Sequence, residues 1–306
     1  MHSDNASIKG YALVILSSLG FSFIPVLASF AYTRYSVDPT TLALMRTYVA
    51  LPFFAIALAT TEGSNVFKIT LKELAFYAFL GAVCGGLSML FAFHSVEFVG
   101  ASVSTVLIFT YPAMTVALGT FFFKEKGSAT KFIAAFIVFI GLLLVLNVGG
   151  SGHPINRTGI LLALTAAFLF ALYHIYCEQA MKKSAPLKVL SMNMLMLTVF
   201  LTVILGIRTY PLDSGLWAIA LILGSVCGFL SMLAFQFGLK ELGAAKTALI
   251  SSLGPVFTAT WAYFALSETL SATQIIGMLV VIGGIIMLEL LAIAERKKRK
   301  ALDAAL

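Results

Sequence analysis

One basic residue of this chain stands well inside an apolar run. Arg46 lies in the stretch LALMRTYVALPFFAIALAT, roughly 9 Å along a helix at 1.5 Å per residue. A guanidinium keeps its charge in any protein setting. Placed in hydrocarbon it costs about 2–3 kcal/mol, so it should turn inward and find an anion. A ligand carboxylate is one partner and Glu97 is another; snorkelling to the nearer surface is the remaining outcome. His174 is the second candidate, set in Tyr173-His174-Ile175-Tyr176-Cys177-Glu178. Its ring can bind a ligand, carry a proton, or satisfy a hydrogen bond between helices. His94 falls near the end of its apolar run, and Tyr48 is two residues from Arg46, off its helical face.

Two sets of hydroxyl and small residues complete the chemistry. Ser104, Thr105, Tyr111 and Thr115 recur at three-to-four spacing around Pro112. Thr247, Ser251, Gly254 and Thr258 do the same around Pro255. Proline inside a helix removes a donor and clashes with the preceding turn, so it breaks or kinks the helix. Breaks at matching places with polar faces beside them point to a binding site at mid-depth. Hydroxyls can also satisfy the carbonyls that a break frees. The ligand-binding candidates are therefore Arg46, Ser104, Thr105, Tyr111, Tyr173, His174, Ser251 and Gly254, with Pro112 and Pro255 as hinges. No catalytic or metal-ligating set is expected. The chain has no phosphate-binding loop, no His-x-x-x-His, Cys-x-x-Cys or Gly-x-Ser-x-Gly, and no Asp deep in an apolar run. Cys84, Cys177 and Cys227 all sit in apolar runs and read as reduced packing residues. No cofactor and no nucleic-acid partner are implied.

The elements that must carry these residues follow from composition. Of 306 residues, 60% are hydrophobic and 11% charged. A soluble domain has about 45–50% apolar and about 25% charged residues. Lipid is the solvent that tolerates this balance. A helix needs about 20 apolar residues to cross a bilayer. Ten such spans are expected, at roughly 8–32, 40–60, 72–94, 100–123, 129–147, 158–180, 188–208, 215–238, 244–266 and 272–294. The fold class is an all-α integral membrane protein. The first run lacks a small-residue cleavage site and reads as a span, not a signal peptide. With the N-terminus inside, 16 Lys and Arg residues fall on the cytoplasmic side, 3 on the other, and Arg46 within a span. The positive-inside rule then places both termini in the cytoplasm. The basic tail, 296–306, reads as a stop anchor at the anionic leaflet, ahead of a functional lipid or protein contact.

The halves of the chain repeat. Residues 81–90 read GAVCGGLSML and residues 224–233 read GSVCGFLSML, with eight of ten positions identical. The same offset of 143 pairs Gly100-Ala101 with Gly243-Ala244, Pro112 with Pro255, Glu125 with Glu268, Ser128 with Ser271 and Gly141 with Gly284. Residues 1–147 form the first repeat, 148–157 the Gly-rich linker, and 158–295 the second repeat. Each repeat holds five spans, an odd number, so the second enters the membrane inverted. Inverted repeats supply two conformations of similar energy, as alternating access requires. Gly81-x-x-x-Gly85 and Gly224-x-x-x-Gly228 permit close helix approach, within the monomer or across a dimer.

On these features the chain resembles the drug/metabolite transporter superfamily, in particular its EamA-type members. The likeness rests on the 5+5 layout, the Gly-Ala start and central proline of spans four and nine, and the glutamates Glu125 and Glu268 just after them. The resemblance implies a secondary transporter of small polar metabolites that exports amino acids or related compounds. A flippase or exporter of lipid-linked or hydrophobic drug-like substrates is the alternative. The resemblance implies a small-molecule substrate; the short connections between spans suit a multi-pass place in the cell's inner membrane, the Gly-x-x-x-Gly motifs allow a monomer or homodimer, and no enzymatic activity is expected. Glu125 and Glu268 read as structural caps or gates.

Overall fold

The computed structural model describes residues 2–62, 69–123, 129–145, 156–206, 210, 212–266, 271–273, 275–284 and 287. Glu125, Glu268, Ser128, most of the linker and the basic tail lie outside them. Among the described residues every regular element is helical. In order they are α1 (His2–Tyr35), α2 (Pro39–Glu62), α3 (Leu71–Ala78), a π segment (Phe79–Leu87), α4 (Ser88–Ile108), α5 (Tyr111–Phe123), α6 (Ala129–Val145), α7 (Arg157–Met181), α8 (Pro186–Leu205), α9 (Ser214–Ile222), a second π segment (Leu223–Leu230), α10 (Ser231–Leu242), α11 (Ala244–Ser251) and α12 (Gly254–Leu266). A further apolar helix covers Ile275–Gly284.

Among the described residues six helical runs are long and apolar enough to cross a membrane: Ile8–Tyr35, Pro39–Thr61, Leu71–Val99, Arg157–Met181, Pro186–Leu205 and Ser214–Leu242. Shorter helices occupy the stretches expected for spans four, five, nine and ten. The starts follow local chemistry. The Thr70 hydroxyl and the Glu73 carboxylate form a capping box at the head of α3. Asp213 accepts from the amides of Gly215 and Leu216 at 2.8 and 3.1 Å at the head of α9. Thr70 and Asp213 are themselves a pair at the 143 offset.

One element departs from the expected bounds. Helix α4 runs through the expected end of span three and into span four. The Ser95 and Ser104 hydroxyls are nevertheless hydrogen-bonded to each other. Nine residues of straight helix would separate them by about 13.5 Å. The chain must double back between them, and Gly100 lies in that interval. In the second half Gly243 makes the matching turn at φ +81°, a conformation that glycine adopts without strain.

Packing is reciprocal between the halves. Helix α1 packs on α10 as α7 packs on α4; α2 packs on the second π segment as α8 packs on the first; α1 meets α12 as α7 meets α5. Exchanging the halves leaves this pattern unchanged, which is what a two-fold relation between repeats produces. The close approaches agree. A Cβ on Gly81 would lie 2.3 Å from the Asn193 carbonyl oxygen and 2.9 Å from Met196 Cβ. On Gly224 it would lie 2.8 Å from the Arg46 carbonyl oxygen and 2.7 Å from Val49 Cβ. Both Gly-x-x-x-Gly motifs thus pack inside the monomer. They also fix a register: Arg46 in α2 stands where Asn193 stands in α8, and Val49 where Met196 stands. By the same test Gly10, against Leu242, matches Gly159, against Val99.

Candidate functional site

A cavity of about 200 Å³ opens where the two halves meet. At about 30 Å³ per water it has room for roughly seven waters, the scale of a small metabolite. Its wall is drawn from both repeats and carries Arg46, Ser104, Thr105, Tyr111, Tyr173 and Ser251 from the expected set. Most of the remaining surface is apolar, including Phe21, Phe93, Phe109, Phe235, Met89 and Met232. The structure places His174 and Gly254 off the wall, although both are buried.

Arg46 is 9% exposed. Its Nε donates to the carbonyl of Leu223 at 3.3 Å. Leu223 opens the second π segment, and widened helical turns of this kind are frequent at functional sites. The guanidinium carbon lies 6.0 Å from the centre of the Phe93 ring. Among the described residues no carboxylate comes within 4.0 Å of it. Glu97, the protein partner weighed from the sequence, is exposed and sits 3.5 Å from His94 Nδ1 instead. His94 Nε2 meets the Thr40 hydroxyl at 2.9 Å. Arg46 is therefore a cation on a cavity wall, tied to a neutral carbonyl and facing no anion among the described residues.

The hydroxyls have a common arrangement. Ser251 donates to the Thr247 carbonyl at 2.8 Å, Thr258 to the Ser22 carbonyl at 3.2 Å, and Ser88 to the Ala166 carbonyl at 2.9 Å. Each proton is spent on backbone, which leaves the oxygens as acceptors; that of Ser251 is already met by the Tyr111 hydroxyl. Thr115 does the same toward Tyr111 at 2.8 Å but is not on the wall. The prolines stand at breaks. Helix α4 ends at Ile108 and α5 begins at Tyr111, so Pro112 occupies its second position. Helix α11 ends at Ser251 and α12 begins at Gly254, so Pro255 does likewise. Proline fits there because the first turn of a helix has no acceptor for its missing N–H. Gly254 makes room for a ring: a Cβ there would lie 2.5 Å from Phe109 Cζ.

His174 is fully buried, with ring centroids of Phe170, Phe235 and Tyr111 at 4.3, 4.7 and 4.9 Å. Among the described residues neither of its nitrogens has a hydrogen-bond partner. The enclosing rings line the cavity, so they stand between it and the imidazole. Glu178 works at a helix end, where its carboxylate accepts from the Ala244 amide at 2.9 Å and caps α11.

Two polar residues escaped the sequence reading. Asn193 is 2% exposed and lines the cavity, and Gln236 is fully buried beside Tyr173. Both are uncharged amides inside long apolar runs, so a search for ionisable groups passes over them. An amide with Ser191 two residues before it in an apolar span was the available signal for Asn193.

The sequence pattern of the EamA-like transporter family matches residues 8–147 and again residues 157–290. The chain belongs to the EamA-like transporter family. That membership makes it a multi-pass membrane transporter of the drug/metabolite superfamily, built from two copies of one unit. It is 27% identical over 290 residues to "Uncharacterized transporter YyaM" of Bacillus subtilis, covering 89% of this chain and 92% of that one. It is 23% identical over 313 residues to "Uncharacterized transporter sll1319" of Synechocystis sp., covering 93% and 94%. A solved crystal structure superposes with a TM-score of 0.74 at 17% identity, over 94% of this chain and 98% of the other, and shows the shared fold.

Proposed function

We propose that this transporter exports a small carboxylate-bearing polar metabolite, an amino acid or a related compound, by alternating access around the cavity between its repeats. Arg46 carries the reading. A permanent cation held in an apolar wall with no carboxylate beside it, among the described residues, is an incomplete ion pair. A bound carboxylate would complete it with a charge-assisted bidentate contact. The acceptor-rich hydroxyls and the Phe and Met surface would then face the donors and the apolar part of the same molecule. The paired breaks at 109–110 and 252–253 are the hinges about which the halves rearrange. The asymmetry of Lys and Arg between the connections supports both termini in the cytoplasm and insertion in the inner membrane of a cell.

Purified protein in liposomes, given a panel of labelled amino acids with and without a pH gradient, tests this directly. Uptake that is lost in Arg46→Ala, with an unchanged elution profile in detergent, is the expected result. Movement of no carboxylate, or equal movement by the variant, would overturn the reading. Lipid-linked or drug-like cargo would then become the search, since such a molecule has no need of Arg46.

A further inference from the structure

Asn193 sits at the position that the two-fold relation assigns to Arg46, with its carbonyl against Gly81 as that of Arg46 lies against Gly224. The residue lines the cavity, with its amide oxygen buried. The amide nitrogen donates to Cys177 Sγ at 3.5 Å, a weak acceptor, on the side where Tyr173 stands. The amide oxygen has no partner among the described residues. Behind it Gln236 repeats the pattern: Nε2 donates to the Tyr173 hydroxyl and to Cys177 Sγ, each at 3.4 Å, and Oε1 is also unpartnered among the described residues. Both amide nitrogens are therefore directed at the Tyr173–Cys177 edge of α7, and both carbonyl oxygens are left over. A buried acceptor with nothing to accept costs stability that a leucine in the same place would not. As a purely structural device, an amide here with its oxygen unmet is poor. As a receptor for a donor that arrives with the cargo, it is apt.

We propose that Asn193 is a second polar subsite of the cavity, which takes a hydrogen-bond donor of the substrate, an ammonium or a hydroxyl, while Arg46 takes its carboxylate. The inference rests on the carboxylate reading above and deepens it. The two equivalent positions beside the two-fold relation have opposite polarity: a donor-only guanidinium in the first repeat, a free acceptor in the second. Cargo bound across them has a defined orientation, acid toward α2 and donor toward α8. Tyr173, on the same wall and hydrogen-bonded to Gln236, positions the amide pair without contacting the acid end.

The test compares three probes with one carbon skeleton in proteoliposomes: L-leucine, 2-hydroxy-4-methylpentanoate and 4-methylpentanoate. They present an ammonium, a hydroxyl and no donor. Wild-type protein should prefer the first two over the third by about tenfold or more, the size of one hydrogen bond to a charged or buried partner. Asn193→Leu should erase that preference while still moving 4-methylpentanoate, and Arg46→Gln should depress all three. Asn193→Asp, which keeps an acceptor at the site, should restore leucine above 4-methylpentanoate; this arm holds even if Asn193→Leu folds poorly. Preference for leucine but not for the hydroxy acid assigns the subsite to an ammonium, and preference for both assigns it to either donor. A leucine to 4-methylpentanoate ratio that Asn193→Leu leaves unchanged, with Arg46 dependence intact, would overturn the subsite alone. If none of the three probes moves, the carboxylate reading falls and takes the subsite with it.

Discussion

Arg46 and Asn193 occupy one place in two copies of the same unit, yet one carries a fixed charge and the other none. Their surroundings differ in step. Beside Arg46 stands the ring of Phe93; at the 143 offset its counterpart is Gln236, beside Tyr173 and Cys177. The frame around them is unchanged. The π segments 79–87 and 223–230, the glycines that admit the neighbouring helix, and the proline-headed half-helices recur in both halves. Backbone geometry is thus held in common, while side chains facing the cavity have diverged. The shared frame can supply interchangeable conformations, and the unshared side chains supply a cargo site that need not be symmetric.

The most severe challenge to this contrast is to make the halves alike. Arg46→Gln puts an amide at both positions, and transport of a carboxylate probe in liposomes should fall about a hundredfold. That is the scale of about 2–5 kcal/mol expected when one partner of a desolvated charge pair is truncated. Retained transport would mean that the charge is not what separates the repeats. The frame itself can be tested at its glycines. Gly81→Ala drives a methyl to 2.3 Å from a backbone oxygen, and Gly224→Ala drives one to 2.6 and 2.7 Å from Val49 Cγ1 and Cβ and to 2.8 Å from the Arg46 carbonyl oxygen. Both should cost about 1–3 kcal/mol, with Gly81→Ala the larger because its backbone contact is the shorter, read as thermal unfolding in detergent. The opposite order would show that the two approaches are not equivalent.

Smaller effects refine the contrast at the helix ends. Glu178 caps α11 through the Ala244 amide. The register set by Gly10 and Gly159 puts Ser29 at the matching place in α1, too short to act alike. Glu178→Ala should lower stability by about 1 kcal/mol, while Ser29→Ala should be near neutral in the same unfolding assay. The N-caps Thr70 and Asp213 give the finest contrast. Asp213 takes two amides at 2.8 and 3.1 Å, and Thr70 takes one at 3.3 Å within its capping box. Asp213→Ala should cost about 1 kcal/mol and Thr70→Ala about half of that, with transport unaffected by either.

Much of this was legible in the linear chain, for identifiable reasons. Apolar runs long enough to span, the 143-residue repeat and the matched prolines are local or periodic signals. Helical spacing put Ser104, Thr105, Tyr111 and Ser251 on polar faces, and the cavity has all four on its wall. Spacing along one helix does not say which neighbour a face will meet. Hence Gly254, on the same predicted face, turned out to seat the Phe109 ring, and His174 lies enclosed by the rings of Tyr111, Phe170 and Phe235. Asn193 drew no notice because an uncharged amide in an apolar span gives no sign of its location until the opposing helix is known.

Three properties are written in the order of residues alone: the chain lives in lipid, it is one helical unit used twice, and the charge of Arg46 needs relief, from a partner inside or by reaching the surface. Each follows from a quantity summed along the chain: apolar length, residue identity at a fixed offset, or the cost of one charge in hydrocarbon. What Arg46 meets was set by folding: a carbonyl from a π segment 177 residues away, and not Glu97. Folding also set Asn193 opposite in role and equal in place. These are choices of partner among helices that are distant in sequence, settled by how side chains and close-packed glycines fit when the two repeats close on one another.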